Sequence, residues 1–188
     1  MDEIRTYFET FATMTDQDWD IFSSKLVQQN FAKKAMLLQA GKTENYLSFI
    51  SKGAVRFYIP RAESEFTFTF SFANEFVSAY DSFLTRKPSS YAVEAMIDTT
   101  VWRISYPDLQ EVYKITAIGN EIGRRASEDL FLLKTKRELD LLLKTAEERY
   151  FNLFTEQPQL IREIPLKYIA SYIGVTPQAL SRIRRRIT

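Results

Sequence analysis

The chain has 188 residues, 45% of them apolar and 26% charged, with a formal net charge of +1 and neither cysteine nor histidine. This length fits one medium or two small domains. The two missing residue types remove disulfides, thiolate nucleophiles, imidazole bases and the usual zinc sites.

The near-neutral total hides an asymmetry: 12 Lys/Arg stand against 15 Asp/Glu up to Lys114, and 13 against 9 beyond it. From Pro165 onward the count is five to none. The opening "MDEIRTYFET" carries acids where a signal peptide needs a basic flank. No uncharged stretch approaches the roughly 20 apolar residues that span a bilayer. The expectation is a cytoplasmic protein with no membrane partner.

Thr15 reads as an N-cap, with Asp16 and Asp18 in the first turn of a helix whose Trp19, Ile21, Phe22 and Leu26 share a face. From Lys34 the period becomes two and the composition turns β-branched and aromatic. "NYLSFISKGAVRFYI" has two extended runs meeting at Lys52-Gly53, which predicts a hairpin. "EFTFTFSF" sets Phe66, Phe68, Phe70 and Phe72 on one strand face, which must then be buried. "YAVEAMIDTTVWRI" is strand, turn, strand with Asp98 at the turn. Short strands at close intervals predict a sandwich, jelly roll or barrel.

From Tyr106 the period is helical, first in "YPDLQEVYKI" and then without proline from about Thr116 to Thr145. Ile118, Ile122, Ala126, Leu130, Leu133, Arg137 and Leu141 lie near one stripe, broadened by Leu132, Leu139 and Leu142. Thirty residues would measure about 45 Å. Such a helix either projects and pairs with a second copy or forms the core of one globular domain. Gly119 and Gly123 either let another backbone or a ligand come close or are simply tolerated within the helix.

The last segment, "PLKYIASYIGVTPQALSRIRRRI", reads as two helices about a tight turn. Leu166, Ile169, Ala170 and Ile173 give the first helix one apolar face. Gly174 can end it with left-handed φ, Thr176 can cap the next helix, and Pro177 suits that helix's first turn. Leu180, Ile183 and Ile187 face inward. Gln178, Ser181, Arg182 and Arg185 fall on the opposite face, a cationic and donor-rich surface of the kind that reads a major groove. Small Ala170 with Gly174, Leu180 and Ile183 is the steric frame of a helix-turn-helix.

On "YIASYIGVTPQALSRIRR" and "YLSFISKGAVRFYI" the chain resembles the superfamily of the cyclic-AMP receptor protein and the fumarate-nitrate regulator (Crp/Fnr). The resemblance covers nearly the whole chain. It implies an α+β fold: an antiparallel β-roll with N-terminal helices over residues 1–114, a dimerisation helix over 115–145, and a winged helix-turn-helix over 146–188. It also implies a homodimeric bacterial transcription regulator, not an enzyme, bound to near-palindromic double-stranded DNA, with RNA polymerase as a further partner. Gln178 and Arg182 take the base-reading positions with Ser181 and Arg185 beside them, and Lys167, Arg184 and Arg186 make phosphate contacts. With Thr176 these residues form the expected DNA-binding set. Pro177 stands where some members carry a base-reading arginine, so the half-site should differ from theirs.

The ligand cassette departs from the pattern. Ser78 and Ala79 replace the glycine-glutamate pair that holds a ribose, and Ser89 and Ser90 replace the arginine-serine pair that holds a cyclic phosphate. Loss of the guanidinium removes a charge-assisted pair and argues against cyclic AMP. Arg86 or Lys87 would have to supply the charge, or Tyr80, Ser82, Ser89, Ser90 and Tyr91 would line a pocket for an uncharged effector. A plugged roll kept as a dimer scaffold fits equally well. Without Cys or His the chain cannot ligate the iron–sulfur or haem groups of other members. The rival reading is a cyclic-nucleotide or small-molecule sensor whose last helices bind a protein instead of DNA.

Overall fold

The computed structural model describes all residues except 11, 63, 117 and 188, and of Ile187 the backbone alone. The chain divides into two compact units, residues 1–57 with 70–129 and residues 58–69 with 130–188.

The first unit opens with α1 (Asp2–Glu9) and α2 (Asp16–Ser24). The Thr15 hydroxyl accepts from the Asp18 N–H and so caps α2 as expected. Eight strands follow: β1 (Val27–Phe31), β2 (Met36–Leu38), β3 (Tyr46–Lys52), β4 (Ala54–Pro60), β5 (Glu65–Phe72), β6 (Phe76–Val77), β7 (Ala92–Ala95) and β8 (Thr99–Ser105). The short helix α3 (Tyr80–Thr85) lies between β6 and β7 in sequence, and α4 (Tyr106–Ile115) follows β8. The strands make two four-stranded sheets ordered β1-β8-β3-β6 and β2-β7-β4-β5. Strand β8 pairs antiparallel with β1 and with β3. The core gathers Ile4 and Phe8 of α1, Phe22 of α2, Phe49, Phe83, Ile104, Leu109 and Val112. Ile118 and Ile122 complete it at the start of the long helix. Strand β1 begins seven residues before the change of period at Lys34, because Val27, Gln28, Gln29 and Asn30 are all exposed and give no alternation to read.

Two expectations change here. Lys52-Gly53 is a corner between sheets and not a hairpin: β3 pairs with β8 and β6, whereas β4 lies between β7 and β5. The chain also changes sheet between β7 and β8, at Asp98, whose Oδ1 accepts from the Lys33 N–H at 2.9 Å. The corners touch: a Cβ on Gly53 (φ +112°) would meet Thr99 Oγ1 at 2.4 Å and Thr99 Cα at 2.7 Å. Nor is the phenyl face of β5 wholly buried. Only Phe70 is, while Phe66, Phe68 and Phe72 are half-buried, and Thr67 on the other face is completely buried. β5 lies at the end of its sheet, where one flank has no strand neighbour.

The long helix α5 (Gly119–Leu143) is 25 residues, about 38 Å at the helical rise. It stops short of Thr145, which caps α6 (Ala146–Glu156) through a reciprocal capping box with Glu148. Gly123 faces the Tyr113 ring, whose hydroxyl would lie 3.2 Å from an added Cβ, so this glycine admits a side chain and not a second backbone. The second unit continues through α7 (Pro158–Glu163), α8 (Leu166–Tyr172) and α9 (Pro177–Ile187). Among the described residues no strand follows β8, so the expected wing is not among them. No helix among them is long and apolar enough to cross a membrane.

Candidate nucleic-acid interface

Helices α8 and α9 meet about Gly174, whose φ of +79° is the left-handed value that ends a helix. Its N–H donates to Ser171 O at 3.1 Å, and the Val175 N–H donates to Ala170 O at 2.9 Å. Thr176 Oγ1 accepts from the Ala179 N–H at 3.2 Å and caps α9. Ile169, Ala170, Ile173, Leu180 and Ile183 are buried between the helices, but Leu166 is 41% exposed and does not join that face. The side chain of Ile187, expected inward, lies outside the described residues.

The face away from this small core is open. Gln178, Ser181, Arg182 and Arg185 are all exposed and fall within one side of α9. The Ser181 hydroxyl donates to Pro177 O at 3.0 Å, leaving its oxygen lone pairs outward. Thr176, Lys167, Arg184 and Arg186 are exposed as well. Lys167 Nζ stands 4.5 Å from the centre of the Tyr168 ring. Arg186 comes within 3.8 Å of Glu147 in an exposed pair, which salt would screen. Arg184, Arg185 and Arg186 sit in the last turn of α9, where cations oppose the negative end of the helix dipole.

Two further arginines fasten this element, and their roles were not legible from residue pattern. Arg149 of α6 donates from Nε to Ile173 O at 3.0 Å and from Nη1 to Lys144 O. Arg137 of α5 donates to Tyr172 O and holds its guanidinium carbon 3.9 Å from the centre of the Tyr172 ring. Together they satisfy carbonyls at the end of α8 that no helical N–H can reach. Burial lowers the Arg137 guanidinium pKa from its ordinary value. The Ser171 hydroxyl completes the fastening: it accepts from the Thr67 N–H at 2.7 Å and donates to Glu65 O at 3.1 Å, engaging the β5 backbone.

In the β-roll the cassette positions are occupied by internal bonds. The Ser82 hydroxyl accepts from the Glu44 N–H at 3.0 Å and donates to Lys87 O. The Ser89 hydroxyl donates to Tyr91 O at 2.9 Å, and Ser89 is buried while Ser90 is exposed. Arg86 turns back on the protein: it donates to Glu44 O at 2.7 Å, Phe83 O at 3.0 Å and Asn45 Oδ1 at 2.5 Å, and stacks 4.5 Å from the Tyr106 ring centre. Tyr80 is half-buried and stacks on Phe83. The Glu44 carboxylate is buried, accepts from the Tyr46 N–H at 3.0 Å, and lies 3.8 Å from Arg103. Its desolvation raises its pKa above the ordinary carboxylate value. Among the described residues no group of acids could hold a metal ion.

A β-roll followed through a long helix by a helix-turn-helix defines the class of protein. Residues 28–116 match the cyclic nucleotide-binding domain family. FixK2 from Bradyrhizobium japonicum is similar in structure, with 19% identity, a TM-score of 0.71, and coverage of 86% of this chain and 84% of that one. A CooA mutant from Carboxydothermus hydrogenoformans has 21% identity and a TM-score of 0.66 over 87% and 77% of the two chains. The c-di-GMP responsive global regulator CLP of Xanthomonas campestris has 14% identity and a TM-score of 0.67 over 92% and 91%. No protein of curated function matches the chain. The chain shares the fold of these structures, with the family match confined to residues 28–116.

Proposed function

We propose that this protein is a non-enzymatic transcription regulator that binds near-palindromic duplex DNA as a homodimer. The observation that carries the reading is the outward face of α9, where Gln178, Ser181, Arg182 and Arg185 stand exposed on a helix held at its turn by guanidinium–carbonyl clamps. A donor-rich helix face of this kind fits a major groove, with Gln178, Ser181 and Arg182 at base edges. Lys167, Arg184 and Arg186 flank that face and supply phosphate contacts that fix register without reading sequence.

Pairing falls to α5. Its Phe131, Leu132, Leu139, Leu142 and Leu143 are exposed, at up to 77% for Leu143. Their helical angles place them on the side opposite Arg137, so Leu132, Leu139 and Leu142 do not broaden the stripe that holds Arg137 but form a second one. The earlier turns of that side are polar, with Arg124 bonded to Glu121 and Glu128, so the seam lies in the second half of the helix. A small effector would act by changing how two such helices pair; RNA polymerase is the partner through which regulation would be read out.

The test is fluorescence anisotropy of the full chain on duplex DNA across a salt series. Affinity should fall steeply with salt, and Arg186→Ala should reduce the slope by about 1 while weakening all sequences alike. Arg182→Ala should relax selectivity at one position, by about 1–3 kcal/mol. Salt-independent binding, or unchanged selectivity in Arg182→Ala, would count against the assignment.

A further inference from the structure

Tyr91 follows directly on the Ser89-Ser90 pair, and its side chain crosses to α3. The phenol donates to Asp81 Oδ1. The ring centre lies 6.2 Å from that of buried Phe57 on β4, with the planes tilted by 52°. The hydrogen bond to Asp81 therefore joins the two halves of the cassette, 78–81 and 89–91, while the ring reaches Phe57 of β4.

The surroundings leave an anion no welcome. Ser82, Ser89 and Arg86 spend their hydrogen bonds on backbone carbonyls and Asn45. The Asp81 carboxylate, which the phenol holds, stands beside the pair and repels a phosphate, while the Glu44 carboxylate is matched by Arg103 at 3.8 Å. Burial and the bond to Asp81 push the Tyr91 phenol well above its ordinary range, so it stays a proton donor at neutral pH.

We infer that Tyr91 is the built-in occupant of the β-roll: its ring takes the space between β4 and α3, and Tyr91 with Asp81 sets the specificity of the cleft. The cleft refuses anionic nucleotides and, once Tyr91 is cut back, accepts an uncharged phenol. This inference does not rest on DNA binding. A protein that reads DNA and also binds cyclic AMP would overturn it and leave the proposed function standing.

The full chain is followed by thermal shift and calorimetry with cyclic AMP, cyclic GMP, phenol and toluene as probes. The wild type should give no saturable shift with either nucleotide. Tyr91→Ala should melt lower and regain stability saturably in millimolar phenol, the fragment removed, with phenol preferred to toluene because Asp81 accepts its hydroxyl. Asp81→Leu in that background should abolish the preference, which a merely packed ring would not require. Saturable uptake of a cyclic nucleotide by the wild type overturns the inference, as does an equal response of wild type and variant to phenol or a preference for toluene. The nucleotide titration needs no variant, so the inference stays open to refutation even where Tyr91→Ala fails to fold.

Discussion

Replacing Arg149 with methionine keeps an unbranched apolar stem and removes the guanidinium that clamps the helix-turn-helix. Two carbonyls lose a charged donor, Ile173 O at 3.0 Å and Lys144 O, while the 3.4 Å approach to Leu141 O contributes little. A hydrogen bond to a charged group is worth about 1.5–3 kcal/mol, which gives about 3–6 kcal/mol for the pair. Arg149 is only half-buried, so water replaces part of the loss and about 2–4 kcal/mol is the expected cost. Urea denaturation read by circular dichroism measures it, with each of two transitions fitted separately because the chain has two compact units. Loss should fall on the transition of the unit holding α8 and α9. Lysine at the same position keeps the charge but not the fork, and should recover less than half. A change under about 0.5 kcal/mol would mean that the clamp does not hold the turn.

Three further outcomes follow from the geometry. Gly41→Ala (φ +83°, with nothing within 4 Å of an added Cβ) should cost only left-handed strain, about 1–2 kcal/mol, whereas Gly53→Ala adds overpacking against Thr99 of about 1–3 kcal/mol more; equal costs in denaturant melts would contradict the corner. Aspartate at both Leu139 and Leu142 should convert the protein to a monomer in light scattering and lower DNA affinity, and an unchanged mass would remove α5 as the pairing element. Burial raises the Glu44 pKa above its unfolded value, so its protonation adds stability that is full below the ordinary carboxylate pKa and is lost as pH rises through the raised folded value. Wild type should therefore gain on Glu44→Gln as pH falls through that window, and parallel stability profiles would speak against it.

The helix-turn-helix was legible because its signals are local: a glycine where φ must be positive, a threonine cap, and apolar residues at helical spacing over short helices. The sheet corners were not, since Gly53 and Asp98 have the chemistry of a hairpin turn and only the pairing of β3 with β8 decides otherwise. The break after α5 was within reach, because "TAEE" is a capping-box signature, yet the absence of proline masked it. The roles of Arg137 and Arg149 lay beyond the sequence: a charge on an amphipathic helix reads as solvated, and the carbonyls at the end of α8 that receive it lie 24 to 35 positions away. Leu166 and the β5 phenylalanines show the same limit, for alternation predicts a face but not what covers it.

The central claim is that α9 reads DNA from a two-fold pair. Selection of bound sequences from random duplex by the full chain tests it most directly. The account predicts enrichment of an inverted repeat with half-sites about 10 base pairs apart, centre to centre, lost at one position per half-site in Arg182→Ala. Recovery of random sequence, or of a single unpaired half-site, would contradict it.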